Sequence, residues 1–172
     1  MVFSSPLQRA LRTALLAFGE NRPIGERIVA LPLAQETSHA PCDTGRNVDA
    51  LKALFSETKV EYQYLEPDWN SKTGRWSQDD VAVEQRATRL RDFLACLPEQ
   101  EIVLVTHGFF LHFLTEVRAV TICAYQILTL ACTGLERVGE ERRLYVTILS
   151  ITSGHAKICP FQTPARSCGS IN

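Results

Sequence analysis

The sequence predicts an α/β sandwich with a largely parallel sheet, and two observations support this fold class. Segments with the periodicity of amphipathic helices alternate along the chain with short apolar runs. The runs are continuously apolar, as expected when helices cover both faces of a parallel sheet. The length of 172 residues suits one domain, and a content of 45% hydrophobic and 22% charged residues is typical of a folded chain.

The first predicted helix begins near Ser5. This residue is expected to be the N-cap, followed by a proline at the first helical position, with Gln8 closing a capping box and Gly19 ending the helix. An apolar run over residues 28–31, cut off by Pro32, predicts a buried strand. The next predicted elements are a polar loop over residues 35–46, a short helix over 48–55, a half-exposed strand over 60–64 and turns over 68–74.

The second half of the chain continues the alternation. Ser77 and Asp80 form a capping-box candidate before a long amphipathic helix that ends ahead of Pro98. Residues 102–105 are the clearest buried strand. The remaining predictions are a helix over residues 109–114, a strand over 144–151 and a loose C-terminal tail over 160–172, which leaves one domain over 1–159.

Charge and cysteine usage exclude several classes of protein. Eighteen Lys and Arg side chains against nineteen Asp and Glu give no overall basic field for nucleic acid or an anionic membrane. The six cysteines lack zinc-site spacings and are expected to be free thiols in a reducing cytoplasm. Residues 1–12 do not resemble a secretory signal, and the uncharged stretch 119–135 is too short and too polar for a spanning helix. We therefore expect a cytoplasmic protein with a buried 119–135 segment and no membrane partner.

His107 is the first candidate site residue, because it lies where a buried strand ends and a helix begins. Open α/β sheets bind ligands at such junctions, and free amides at a helix start attract anions. A phosphate site is one interpretation. The other is a structural histidine in a satisfied hydrogen-bond network at the end of the strand.

Arg9 and Glu36 are the other candidates, and each has two interpretations. Arg9 lies off the apolar stripe in the first turn of the first helix, where it either stays solvated or adds paired donors for a phosphate. Glu36 follows a short strand, and it is either a solvated loop residue or a general acid for a leaving oxygen. His39, His112 and His155 have no partner at metal-ligand spacing and are interpreted as structural or exposed.

Four segments, in order along the chain, resemble the histidine phosphatase superfamily, the phosphoglycerate mutase-like proteins, in a fungal-type branch. They are VFSSPLQRALRTA at residues 2–14, LAQETS with PCDTG at 33–45, WNSKTGRW at 69–76, and IVLVTHG followed by FFL at 102–111. The first is similar to the family's SPLxRAxxTA segment, and the last to its second histidine block. The resemblance implies a three-layer α/β/α sandwich.

The same resemblance implies a reaction and its residues. In that family a histidine after the first strand attacks the phosphoryl group, two arginines and a second histidine bind the phosphoryl oxygens, and an acidic residue protonates the leaving group. By position, Arg9 matches the second arginine, His107 the second histidine and Glu36 the proton donor, with Gly108 at the phosphate. The implied ligand is a small phosphorylated substrate or inorganic phosphate, and no metal or cofactor is required.

Two departures from the family pattern set further expectations. The family's Arg-His-Gly triplet precedes the SPLxRA segment, whereas this chain has no histidine before His39. The sequence therefore predicts that the first strand is missing, that a buried sheet edge is uncovered, and that the chain is weakly active or inactive. Residues 117–132 replace the expected family sequence, and from residue 119 onward they carry no charge. The alternatives are a catalytically dead phosphate-binding or protein-interaction module, or a non-functional fragment.

Overall fold

The computed structural model describes residues 1–19 and 27–115, together with two further strands toward the C-terminus. The helices are α1 (Gln8–Phe18), α2 (Val48–Leu54), α3 (Asp80–Ala95) and α4 (Gly108–Thr115), with short 3-10 helices at Pro32–Ala34 and Gly74–Trp76. The strands are β1 (Val2–Ser4), β2 (Ile28–Ala30), β3 (Val60–Glu61), β4 (Glu101–His107), β5 (Gln126–Leu128) and β6 (Arg143–Leu149).

These strands form one sheet in the order β3-β2-β1-β4-β6-β5. All neighbouring pairs are parallel except β5 and β6, which are antiparallel. Val2 of β1 pairs with Ile28 on one side and with Val103 on the other. The predicted largely parallel α/β sheet is therefore confirmed.

Successive strand residues face two separate cores, because side chains alternate across a sheet. Phe3, Val29 and Leu104 pack with apolar residues of α3 and α4. Their neighbours Val2 and Ile28 pack on the opposite face with residues of α1 and α2. The molecule thus has the three layers α/β/α that the family resemblance implies.

The sheet around β4 differs from the expectation of an uncovered edge. The first described strand, β1, lies between β2 and β4, so it is hydrogen-bonded on both sides. The other side of β4 is covered by β6, which pairs with it from Glu101 opposite Arg143 to His107 opposite Leu149. The prediction of an uncovered edge is therefore wrong at β4, since β6 pairs with it over all seven residues. The β-branched and apolar residues of β6 suit a parallel strand.

Two predicted helix caps are also corrected. The helix α1 begins at Gln8 with Leu7 as its N-cap, and the Ser5 hydroxyl accepts a 3.3 Å bond from the Leu7 amide instead of capping the helix. At α3 the N-cap is Asp79, whose carboxylate accepts from the Ala82 amide at 3.0 Å. In both cases the residue that the capping-box pattern selects is not at the N-cap position.

The other predicted elements are found close to their expected bounds, with one shortened strand. Only Val60–Glu61 of the expected strand over residues 60–64 is extended, because the Leu65 amide donates to the Tyr62 carbonyl in a turn. The tail over residues 160–172 and most of the segment 117–132 lie outside the described residues. Within the described residues, no helix is both long and apolar enough to cross a membrane.

Candidate functional site

The candidate residues gather at the carboxyl edge of the sheet, where β1 and β4 lie side by side. Ser5 follows the last residue of β1, and His107 is the last residue of β4. The helix α1 follows β1, and the helix α3 precedes β4. These two helices lie on opposite faces of the sheet. Such a switch point opens a crevice between parallel strands, which is where α/β sheets bind ligands.

His107 is 1% exposed and is bonded through both ring nitrogens. Its Nδ1 lies 3.1 Å from Arg9 Nη2, and its Nε2 lies 2.7 Å from Ser5 Oγ. Since a guanidinium only donates, Nδ1 must accept, and the proton of the neutral ring is on Nε2. Burial is the main reason that the pKa of His107 lies well below its ordinary value of 6.5. Three nearby positive charges add to this shift, those of Arg9, Lys72 and Arg86.

The tautomer decides what the close Ser5 and His107 pair can do. A histidine that activates a serine needs a free lone pair on the nitrogen facing the hydroxyl. Here that nitrogen carries the proton and donates it to Ser5 Oγ, since Arg9 occupies the other nitrogen. The pair is therefore a structural link between β1 and β4 and does not generate a serine nucleophile.

Arg9 is held by the loop that follows the Pro32–Ala34 turn. Its guanidinium donates to the carbonyl of Cys42 and, at 2.7 Å, to Oδ1 of Asp43. The second oxygen of Asp43 accepts from Ser38 Oγ at 2.5 Å. The arginine side chain is 22% exposed, so the same group that contacts His107 also reaches solvent. A bidentate donor in this position is suited to oxygens of a phosphate.

Glu36 is placed at the beginning of α4. Its Oε1 accepts from the Thr37 amide at 2.9 Å and from the Phe110 amide at 3.1 Å. A carboxylate in the first turn of a helix interacts favourably with the helix dipole. Gly108, the first residue of α4, follows His107 directly. The structure thus brings Arg9 and His107 into contact and places Glu36 and Gly108 at the adjoining helix start.

Lys72 and Arg86 also belong to this cluster, although the sequence analysis did not select them. Lys72 Nζ donates to the carbonyl of Glu36 at 2.8 Å. Burial, followed by the positive charge of Arg86, lowers the pKa of Lys72 to about 8. Arg86 is 2% exposed on α3, with its guanidinium 4.7 Å from the Phe110 ring centre, and burial lowers its pKa to about 10.

A signal for Arg86 is present in the sequence. It follows Val83 by three residues and precedes Leu90 by four, which places it on the apolar stripe of α3. A charged residue on a core-facing stripe is unusual unless it is paired or functional. Asp43 and Lys72 lie within the matched PCDTG and WNSKTGRW segments, but nothing in their spacing indicated that they meet Arg9 and Glu36.

The chain matches one family model and a curated relative. The family described as histidine phosphatase superfamily (branch 1) matches residues 1–143. A protein of the fission yeast Schizosaccharomyces pombe named "Probable phosphatase" is 27% identical over 111 residues, which is 63% of this chain and 50% of that protein. The chain thus spans about half the length of this relative. None of the solved structures matches significantly. Since the family match covers most of the sequence and the fold agrees with it, the chain belongs to the histidine phosphatase superfamily.

Proposed function

We propose that this chain binds small phosphomonoesters and inorganic phosphate at the carboxyl edge of β1 and β4. Arg9 contacts the phosphoryl oxygens through the N–H groups that Cys42, Asp43 and His107 leave free, and His107 holds the guanidinium in place. The amide of Gly108, at the start of α4, lies toward the same charge. Support comes from family membership, from a relative named a probable phosphatase, and above all from the 3.1 Å contact between Arg9 and His107. A guanidinium group beside the N-terminus of a helix stabilises negative charge on the oxygens of a phosphoryl group during its transfer.

For hydrolysis without an attacking side chain, a water oxygen forms the bond to phosphorus and loses its proton while the bond from phosphorus to the ester oxygen breaks. Glu36 is our proposed proton donor, because a proton delivered to the ester oxygen avoids expulsion of an alkoxide. Ser5 is not activated by His107, whose proton lies between them. Among the described site residues none is arranged as a nucleophile. We therefore expect the site to bind phosphate but to hydrolyse phosphomonoesters slowly.

A catalytically inactive phosphate-binding module is the second candidate. The tautomer of His107 favours it, because the site as described binds and neutralises charge without preparing an attack. The two candidates differ in whether hydrolysis of an activated ester accompanies binding. Calorimetric titration with inorganic phosphate, together with hydrolysis of p-nitrophenyl phosphate, separates them.

The expected result is phosphate binding that Arg9→Ala weakens by about 10-fold or more, since charge-assisted hydrogen bonds contribute about 1.5–3 kcal/mol. Arg12→Ala is the matched control, because Arg12 lies on the same helix and is exposed. Unchanged phosphate affinity in Arg9→Ala contradicts the proposed site. Robust hydrolysis that disappears in His107→Ala contradicts the expectation of weak turnover, and absence of a cooperative thermal transition by circular dichroism supports the fragment interpretation instead.

A further inference from the structure

Lys72 is attached to the same loop that holds Arg9. Its Nζ donates to the carbonyl of Glu36 at 2.8 Å. Two further hydrogen bonds, of 2.8 and 2.7 Å, join residues 69 and 70 to this loop. Further along the loop, Asp43 accepts from Arg9 at 2.7 Å. The loop therefore fixes the lysine and the arginine relative to each other.

Electrostatic effects indicate that the amine of Lys72 is close to the phosphate site. After burial and Arg86, which lower it most, the charges of Asp43 and Arg9 also act on the pKa of Lys72. After burial and Arg9, the charge of Lys72 is the next cause of the low pKa of His107. Charges in salt solution are largely screened beyond roughly 10 Å. Lys72 therefore lies within reach of a small molecule that is bound at Arg9.

The ammonium group of Lys72 loses its proton more easily than that of an ordinary lysine. Its hydrogen-bond partner Glu36 offers a neutral carbonyl, and burial, followed by the charge of Arg86, lowers its pKa to about 8. At neutral pH about a tenth or more of such side chains are uncharged, against well under about 0.1% for a lysine with the ordinary pKa. Lysines that are desolvated or lie beside another cation are the ones that attack carbonyl carbons.

The backbone holds this amine in a defined place. Lys72 has a φ of 57°, in the left-handed region that costs a non-glycine residue about 1 kcal/mol or more. Such conformations cluster at functional sites. The bond to Glu36 uses an N–H group, so the lone pair of the neutral amine remains available to an electrophile. The side chain is half-buried, which leaves it accessible to a small ligand.

We propose that Lys72 captures small phosphorylated aldehydes as a reversible imine while Arg9 holds their phosphate. This inference rests on the proposed function, because the phosphate site supplies the anchor. The Nζ lone pair forms a bond to the aldehyde carbon, and the two hydrogens of the amine leave with the carbonyl oxygen as water. A C=N bond remains, nothing is oxidised or reduced, and hydrolysis reverses the step. Anchoring the phosphate makes the attack effectively intramolecular, which favours Lys72 over other lysines.

Reductive trapping with a matched pair of aldehydes tests this site. Glycolaldehyde phosphate and glycolaldehyde differ by the phosphate, and cyanoborohydride converts an imine into a stable amine that peptide mass spectrometry locates. With glycolaldehyde phosphate, Lys72 is expected to be labelled about 10-fold faster than the exposed Lys52 and Lys59. With glycolaldehyde, the labelling of Lys72 should be about 10-fold slower. Inorganic phosphate should protect Lys72 from the phosphorylated aldehyde only.

Variants separate the roles of the amine and of the anchor. Lys72→Arg keeps the positive charge but lacks the reactive amine, so its total label should fall to that of the exposed lysines. Arg9→Ala should slow the labelling of Lys72 by glycolaldehyde phosphate about 10-fold, with labelling by glycolaldehyde changed by about twofold or less. Arg12→Ala, an exposed position on the same helix, is the matched control and should behave like the wild-type protein.

The outcomes distinguish this inference from the proposed function. Equal labelling of Lys52, Lys59 and Lys72 overturns the imine site and leaves the phosphate site in place. Selective labelling of Lys72 that depends neither on the phosphate of the ligand nor on Arg9 also overturns the inference, because the lysine then reacts apart from the phosphate site. Failure of inorganic phosphate to bind in calorimetry overturns the proposed function, and the inference with it.

Discussion

The protonation of a single side chain, His107, connects the site to the stability of the fold. Both ring nitrogens are committed to neighbours on other elements, Arg9 on α1 and Ser5 after β1. Protonation of the ring would direct an N–H group toward the Arg9 guanidinium, which has no lone pair to accept it. The neutral ring is therefore part of the native structure as well as of the proposed phosphate site.

Acidification is expected to destabilise the protein through this residue. The folded protein has a pKa for His107 well below 6.5, whereas the unfolded chain has the ordinary value, so between these values only the unfolded state binds the proton. The free energy of unfolding should fall as pH falls below about 6.5, by up to about 1.4 kcal/mol per pH unit. Urea denaturation between about pH 5 and 7.5 measures how the free energy of unfolding depends on pH. These values lie roughly one unit or more on either side of the ordinary histidine pKa.

His107→Gln should show a shallower slope in this window, because it lacks the titrating ring. His39→Gln provides the control at an exposed position, and its slope should follow that of the wild-type protein. Parallel slopes in all three proteins would contradict the assignment of acid sensitivity to His107.

Arg86 is expected to lower the stability of the fold, because its buried N–H groups have no hydrogen-bond acceptor among the described residues. Replacing a desolvated guanidinium that lacks hydrogen-bond acceptors by an apolar side chain of similar length is expected to increase the free energy of unfolding by about 1 kcal/mol or more. Thermal and urea denaturation of Arg86→Met measures the change. The same substitution at Arg91 is the matched control, because Arg91 donates to the carbonyls of Phe113 and Leu114. Arg91→Met should lower stability by about 1–2 kcal/mol, and a destabilised Arg86→Met would show that Arg86 serves the fold.

Residue types and motifs were sufficient to select Arg9, Glu36 and His107 as candidates, because each lies at an element boundary or in a family segment. Lys72 could not be selected in the same way, and the stripe position of Arg86 marks it as unusual without indicating its partners. Whether a lysine in a turn or an arginine on an apolar stripe is solvated or buried depends on tertiary packing, here on the Phe110 ring and the Glu36 carbonyl. Local sequence patterns contain no information about those contacts.

At the scale of elements, the loop between β2 and α2 organises the site, and a glycine fixes its path. Gly45 lies against the ring of Trp69, which is fully buried. The Gly45 carbonyl accepts from Asn70 Nδ2 at 2.7 Å, and the Trp69 carbonyl accepts from Gln35 Nε2 at 2.8 Å. The loop is thus attached to the segment 69–70 at both of its ends, which positions Asp43 against Arg9.

Gly45→Ala is expected to disturb this attachment, because the added Cβ would overlap the Trp69 ring. We expect a loss of about 1–3 kcal/mol in stability, as for other overpacked positions. Phosphate affinity should also fall, since the loop that holds Arg9 must shift. Denaturation and calorimetry measure the two effects.

A compensating substitution provides the control for Gly45→Ala. Trp69→Phe has a smaller ring, so adding it to Gly45→Ala should recover part of the stability that the alanine loses. Wild-type stability in Gly45→Ala alone, or purely additive losses in the double variant, would show that the contact does not fix the loop.

Helices and buried strands were predictable because their signals are local. The stripe on α3 and the apolar run of β4 extend over many residues, and both elements appear near their expected bounds. The cap of α1 was not predictable, because the Ser5 hydroxyl bonds both the Leu7 amide and His107. His107 lies about a hundred residues away in sequence, so local patterns do not reveal this contact. A hydroxyl near a helix start caps the helix only when no stronger partner competes for it.

At the scale of the whole molecule, the fold class followed from the alternation of elements, but the order of strands did not. The family pattern suggested an uncovered edge because a strand of the family has no counterpart among the matched segments. Pairing depends on which strands meet in space, and β6 covers β4 along its full length. The site is therefore formed within the sheet rather than at an open edge, with His107 opposite Leu149.

The central position of β1 has a consequence for synthesis. β1 pairs with a segment that lies about a hundred residues later in the chain, and ribosomes add roughly 5–20 residues per second. The apolar strand therefore waits about 5–20 s after leaving the ribosome before β4 is available. During that time Arg9 and Ser5 have no histidine to bind, so the site is completed only when the nascent chain has grown past β4, and a chaperone that shields β1 would assist its assembly.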